Sequence, residues 1–481
     1  MEYSYRKRVK YLKKVTAQKV FFWNILGSMS SAAVSVILLF IVTRALNSAS
    51  ADIYSFAYAI ANLFVIVASF QVRDFQATDI REKYSFDTYF VTRIISNVAM
   101  VLLLVTYLIF NTNTHSNIGI IFWVSFFRVS EALSDVFQGL FQQKERLDIA
   151  GRSLFLRNTI STIVFALTLV ISKNLLWSVI AQTISSFIFI ALFDYPNSKV
   201  FHRLNLKSVR LSNIINVLKD CLPLFINAFL LVSIYNQPKY ALNDIFNQGM
   251  IGNGVQRDFS ILFTPIFAMN LMIVFLRPMI TQLAVFLEEK KISHFVTYKN
   301  NLLKILFGTC TLIFLIVAFI AIPALDIVYG TNLKQYQTSF IVLLLGGIAS
   351  TFSTVCDNIL TIFRKQHFLV ISFIVGYIVS ILTAKPLVSK FEIFGASLSF
   401  LCAMIAWLLA SPFCLCLLFE IKFLLFESIL YEFLVVLIVL NGLDMGVPTS
   451  QEWFVVCQTH GHFLDSCCNN EGRSLLHFQQ L

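Results

Sequence analysis

Apolar stretches broken by short polar connections recur along almost the whole chain. Each is about the 20 residues that a bilayer core requires of a spanning helix. They fall at 20–43, 52–72, 89–110, 118–141, 153–172, 175–193, 217–236, 257–281, 302–322, 338–362, 367–388 and 393–419, with 422–441 as a thirteenth candidate. The pattern predicts an all-α integral membrane protein of about 12 transmembrane helices.

Charge orients this string of helices. Most of the 37 Lys and Arg residues sit in the first 19 residues and in alternate connections with the span ends beside them, those after spans 2, 4, 6, 8, 10 and 12; Arg93 is counted with the second connection and Arg157 with the fourth. The segment 111–117 has neither. Cytoplasmic loops collect Lys and Arg, so the N-terminus is expected inside. The longest basic connection, 195–216, separates spans 1–6 from spans 7–12. Both halves begin and end inside, which predicts two six-helix lobes of parallel topology, 20–194 and 217–419, around a central cavity.

Composition agrees. The chain is 57% hydrophobic and 13% charged, against roughly 25% charged residues in soluble domains. The net charge of +11 reads as orientation and attraction to anionic lipid, with no nucleic-acid partner. No cleavable signal peptide is evident, because the basic start (Arg6 to Lys19) leads into a span too long for one. From residue 442 the sequence turns polar and reads as a disordered or non-native tail. Its run Cys457, His460, His462, Cys467, Cys468 matches no zinc spacing.

Charged residues inside spans are the candidates for function, since each costs about 2.5–3.5 kcal/mol near mid-bilayer on insertion scales. In the fourth span Arg128, Glu131, Asp135, Gln138 and Gln142 fall within an arc of about 80°. The opposite face is apolar. Two readings fit this stripe: a translocation cavity wall, or an Arg128–Glu131 ion pair that locks helices together. Gly27 and the serines of the first span point to close helix packing rather than substrate contact. Arg44 and Asp52 flank the next loop and are placed to form a gate pair or an interfacial ion pair. Asp357, in the tenth span with Ser350, Ser353 and Thr354, is a candidate ion-coupling residue or a hydrogen-bond partner of a neighbouring helix. Arg277 precedes Pro278 in the eighth span. Lys239 lies in a polar segment, 236–244, where Pro238 is expected to break the helix.

The sequence contains no Walker A loop, no G-x-S-x-G elbow and no H-E-x-x-H pair. It calls for no cofactor, no metal and no enzymatic activity.

Several segments resemble bacterial polysaccharide-biosynthesis flippases of the Wzx type, within the multidrug/oligosaccharidyl-lipid/polysaccharide exporter superfamily. They are Gln71-Val-Arg-Asp-Phe-Gln-Ala-Thr-Asp79 with Arg81 to Phe86, Ser134 to Asp148, Asn236-Gln-Pro-Lys-Tyr240, and Phe394-Gly-Ala396. The resemblance implies two six-helix lobes around a cavity. It also implies a passenger, an oligosaccharide repeat unit on undecaprenyl diphosphate, bound for O-antigen, capsule or exopolysaccharide. Cationic cavity residues would hold the anionic head group, which puts Arg128, Arg44, Arg277 and Lys239 forward. A bacterial cytoplasmic membrane and a polysaccharide polymerase among the partners follow from the same likeness. An inside-negative potential, worth about 2.3 kcal/mol per charge per 100 mV, would favour outward movement of an anion. Two other readings stand beside it. A cation-coupled multidrug extruder of the same superfamily would depend on Asp357, Glu131 and Asp135. A membrane polymerase or lipid-dependent glycosyltransferase would need a larger extramembrane loop than any between these spans.

Overall fold

The computed structural model describes residues 16–79, 82–111, 117–363 and 369–419. The start of the basic tail, the candidate span 422–441 and the polar tail 442–481 lie outside them. The described residues all belong to one compact unit.

Its described residues are almost entirely helical. The first half contains α1 (Ala17–Ala45), α2 (Ser48–Ser69), the short α3 (Val72–Thr78), α4 (Phe86–Phe110), α5 (Ile118–Gln143), α6 (Leu147–Ser172) and α7 (Leu175–Phe189). A π-turn, Ile190–Asp194, joins α7 to α8 (Tyr195–Phe201). The second half holds α9 (Leu211–Asn247), α10 (Val255–Leu262), α11 (Thr264–Glu288), α12 (Ile292–Tyr329), α13 (Gln337–Ile362) and α14 (Leu369–Phe419).

Nine of the described helices are long and apolar enough to cross a membrane. One of them, α14, is two spans. At Glu392 the backbone turns to φ 50°, ψ −123°, and the chain reverses. Thr383 Oγ1 then meets Ser399 Oγ at 2.9 Å, and the rings of Phe373 and Trp407 lie 5.0 Å apart. These pairs nest about the same turn, as in an antiparallel hairpin. Adding α5 and α11 gives about twelve spans. The helix α5 is less apolar because it carries the polar stripe.

Each half packs mainly within itself: α1 on α6, α2 on α5, and α6 on α7 in the first; α13 and α9 on α14, and α11 on α13, in the second. Small residues allow the tightest approach, as expected of Gly27. A Cβ on Gly27 would stand 2.8 Å from Gly151 O, and one on Gly151 only 2.2 Å from Trp23 O. Side chains on the outer faces, such as Leu102 and Phe110 of α4, Ile171 of α6 and Phe319 of α12, are exposed and apolar. A bilayer would cover them.

The halves meet where α9 and α10 pack on α2. At the end with the basic loops, Lys83 Nζ reaches Asp220 at 3.1 Å, and Phe70 stacks on Phe225 with centroids 4.4 Å apart. At the opposite end Asp52 accepts the backbone N–H groups of Gly254 and Arg257, the latter at 2.7 Å. Two expectations are corrected here. Arg44 and Asp52 do not pair: each satisfies backbone groups across the interface, Arg44 those of Ile327 and Val328. And Pro238 does not break its helix, because α9 runs through it.

Candidate functional site

The polar stripe of α5 borders a cavity of about 250 Å³. Its walls come from the first half alone: Ser31 and Val34 of α1, Tyr58, Val65 and Ser69 of α2, Arg73 of α3, the α5 stripe, and Leu154, Arg157 and Asn158 of α6. The helical spacing of the stripe sets this up. Residues three and four apart share a face, so one face of α5 presents Arg128, Glu131, Asp135 and Gln138 together, and the other buries Val136, Phe137 and Leu140.

Two charge clusters divide the cavity wall. The first surrounds Asp135. Arg73 Nη1 bonds its Oδ1 at 2.9 Å and also Gln138 Oε1 at 3.0 Å. Arg93, fully buried on α4, reaches Asp135 Oδ2 at 3.0 Å. The second surrounds Glu131. Arg128 Nη1 pairs with one of its oxygens, and Arg157 Nη2 stands 3.9 Å from the other. Arg128 also donates to Asn62 Oδ1 at 2.7 Å and lies over the Tyr58 ring at 4.4 Å. Three arginines and two carboxylates line the space, so its wall carries a net positive charge.

The stripe combines geometric elements of the two readings. The Arg128–Glu131 pair exists, and it faces a cavity.

Two members of the site, Arg93 and Arg157, were counted by sequence among the cytoplasmic loop residues. They lie well inside α4 and α6 and are buried (0% and 3% exposed). A third polar centre sits behind α5. Asp194, at the end of the π-turn, accepts hydrogen bonds from Ser134 at 2.7 Å and Ser153 at 2.6 Å, and Gln138 donates to Ser134 at 3.1 Å.

The remaining candidates lie elsewhere. Arg44 is exposed at the interface between the halves. Lys239 is buried in α9, with its Nζ 5.2 Å from the centre of the Phe263 ring. Asp357 is buried in the second half, where Trp407 Nε1 and Ser411 Oγ donate to it at 3.1 and 2.7 Å. Arg277 belongs to α11, but its side chain lies outside the described residues. Among the described residues no group of three or more His, Cys, Asp or Glu is arranged to hold a metal ion.

No protein-family model matches the sequence. It is similar to a capsular polysaccharide biosynthesis protein, CapF, of Staphylococcus aureus. The two are 23% identical over 334 residues, covering 68% of this chain and 80% of that one. Among solved structures it resembles an inward-facing multidrug resistance MATE family transporter of the MOP superfamily, with a TM-score of 0.56 and 12% identity over 85% of this chain and 96% of that one. It also resembles a MATE transporter of Vibrio cholerae (TM-score 0.53, 12% identity, 83% and 95% covered). A third likeness is to a MOP superfamily transporter of Pyrococcus furiosus, described as having a binding pocket of reverse polarity that suggests a different function (TM-score 0.53, 11% identity, 82% and 93% covered). The chain has the fold of the MOP superfamily transporters.

Proposed function

We propose that this protein moves an anionic lipid-linked oligosaccharide, a repeat unit on undecaprenyl diphosphate, across a bacterial cytoplasmic membrane for surface polysaccharide assembly. One observation carries the reading: the cavity wall has more arginines than carboxylates, inside a bundle where every charge is costly. Such a wall suits a diphosphate and repels a cation. The likeness to a capsule biosynthesis protein supports the same direction. Arg128 and Arg73 face the head group in this reading, and the polyprenyl chain stays in lipid beside the exposed apolar helix faces. Transport proceeds by alternating access, as the two halves part at one end and then at the other.

The test is complementation of a strain lacking this gene. The wild-type chain restores surface polymer. Arg128→Ala, present at equal abundance in the membrane, leaves repeat units on the lipid carrier inside the cell. Normal export by that variant would overturn the role of the cavity.

A second reading, cation-coupled drug extrusion, has its own observation. Among the described residues Asp357 is a buried carboxylate held by neutral donors, Trp407 and Ser411, as a coupling site would be. Drug-resistance assays with Asp357→Asn separate the two readings.

A further inference from the structure

Arg157 is the least satisfied charge in the cavity wall. It is 3% exposed. Its Nη2 donates to Asn158 Oδ1 at 3.2 Å and stands 3.9 Å from Glu131. Its Nε and Nη1 are buried and have no hydrogen-bond partner among the described residues. A guanidinium has five donors and cannot shed its charge, so unmet donors in a water-poor bundle are unfavourable. Arg128 shares the same carboxylate. Glu131 is thus the one carboxylate paired with both cations, with Asp194 a further anion within electrostatic reach of Arg157. The other cluster also sets two arginines on one carboxylate but meets their donors better: Asp135 is shared by Arg73 and Arg93, Arg73 donates to Gln138 as well, and Arg93 donates to the carbonyls of Ala68 and Ser69.

Resting on the proposed function, we propose that Glu131 is a resident counter-anion that occupies the place of the passenger's diphosphate between Arg128 and Arg157, and that the diphosphate displaces it. Glu131 is suited to this exchange. It lies on the cavity surface, its side chain is 18% exposed, and its contact with Arg157 is loose. A diphosphate carries more acceptor oxygens than a carboxylate and can serve both arginines at full hydrogen-bond distance. The empty cavity would then keep its arginines positioned without trapping passing anions, because any ligand has to outcompete the built-in one. The unpaired Glu131 would repel the product once its hold weakens, which favours release on the far side.

Scaffold and competitor make opposite predictions for one variant. The full chain is purified in detergent, and binding of inorganic pyrophosphate and of undecaprenyl diphosphate is titrated calorimetrically. With the competitor removed, Glu131→Gln binds pyrophosphate several-fold more tightly than wild type. Arg157→Gln binds it about tenfold more weakly, the loss expected for one charge-assisted contact. If Arg157→Gln does not fold, Arg157→Lys, which keeps the charge but not the fork, shows a smaller loss in the same direction. Equal or weaker binding by Glu131→Gln overturns the proposal, as does absence of pyrophosphate binding by both wild type and that variant. If undecaprenyl diphosphate binds wild type well and Glu131→Gln no better, the exchange fails while the lipid-linked reading stands. If pyrophosphate behaves as expected and undecaprenyl diphosphate binds no tighter than it, the anion site stands and the lipid-linked reading falls.

Discussion

Arg93 crosses from α4 to Asp135 on α5, a contact of 3.0 Å made by a guanidinium with no exposure to solvent. The same side chain donates to the carbonyls of Ala68 and Ser69, the last residues of α2. One residue therefore ties three helices and caps one of them. Arg93→Ala is expected to cost about 3 kcal/mol, at the low end for a broken buried pair because Arg73 remains on Asp135. Arg93→Lys should recover little, since an ammonium cannot span all three partners as the planar fork does. Thermal melting of the purified protein measures both, and wild-type melting of Arg93→Ala would refute the assignment.

The contact of α1 with α6 predicts a different kind of loss. A methyl group at Gly151 would stand 2.2 Å from a backbone oxygen of Trp23, and backbone cannot turn aside as a side chain can. Gly151→Ala should destabilise by about 1–3 kcal/mol, the usual cost of overpacking. Gly308→Ala is the control: a Cβ there meets nothing within 4 Å, and because Ala favours a helix interior over Gly the variant should melt no lower than wild type.

Under the proposed alternating access, the stacked rings of Phe70 and Phe225 have to separate during each cycle. Cysteines placed at both positions, in a chain whose native cysteines have been replaced, should be joined by a short bifunctional thiol reagent. Joining them should abolish export. A transporter that keeps working with the pair joined would show that this contact is static.

The loop after α3 predicts a pH effect. Burial alone would raise the Asp79 carboxyl, but the backbone N–H groups of Lys83 and Tyr84 and the Tyr89 hydroxyl outweigh it and hold the group below its ordinary 3.8. A depressed pKa stabilises above the ordinary value and loses that contribution as pH falls through the folded one. The Lys83 and Tyr84 amides should therefore exchange faster with solvent deuterium once the pH falls below about 4, relative to the intrinsic rate. In Asp79→Asn that step should vanish.

The spans and the stripe of α5 were legible because hydropathy and helical period are local properties. What faces the stripe was not. Arg93 and Arg157 belong to runs rich in basic residues, and counting charge near span ends assigns them to loops. Yet α4 and α6 begin several residues before the apolar stretches do, at Phe86 and Leu147. At 1.5 Å per residue that early start carries both arginines about two turns or more into the bundle. Lys239 misleads in the opposite way. Its polar neighbours and Pro238 look like a loop, but the second half buries them in a continuous helix. Ser134 and Ser153 gave no signal at all, since a serine in an apolar span reads as packing until a carboxylate is found opposite.

That carboxylate is where it is because of the π-turn. Five residues, Ile190–Asp194, wind more widely than the α-helices on either side. Each residue of an α-helix advances about 100° around the axis. An α7 without the extra residue would swing Asp194 by that angle, away from Ser134 and Ser153. A one-residue deletion there leaves composition and hydropathy almost untouched. It would nonetheless take a buried acid off both of its hydroxyl donors. The irregularity in the winding thus acts as a phase marker, deciding which residues of the last third of this span belong to the protein and which to the membrane.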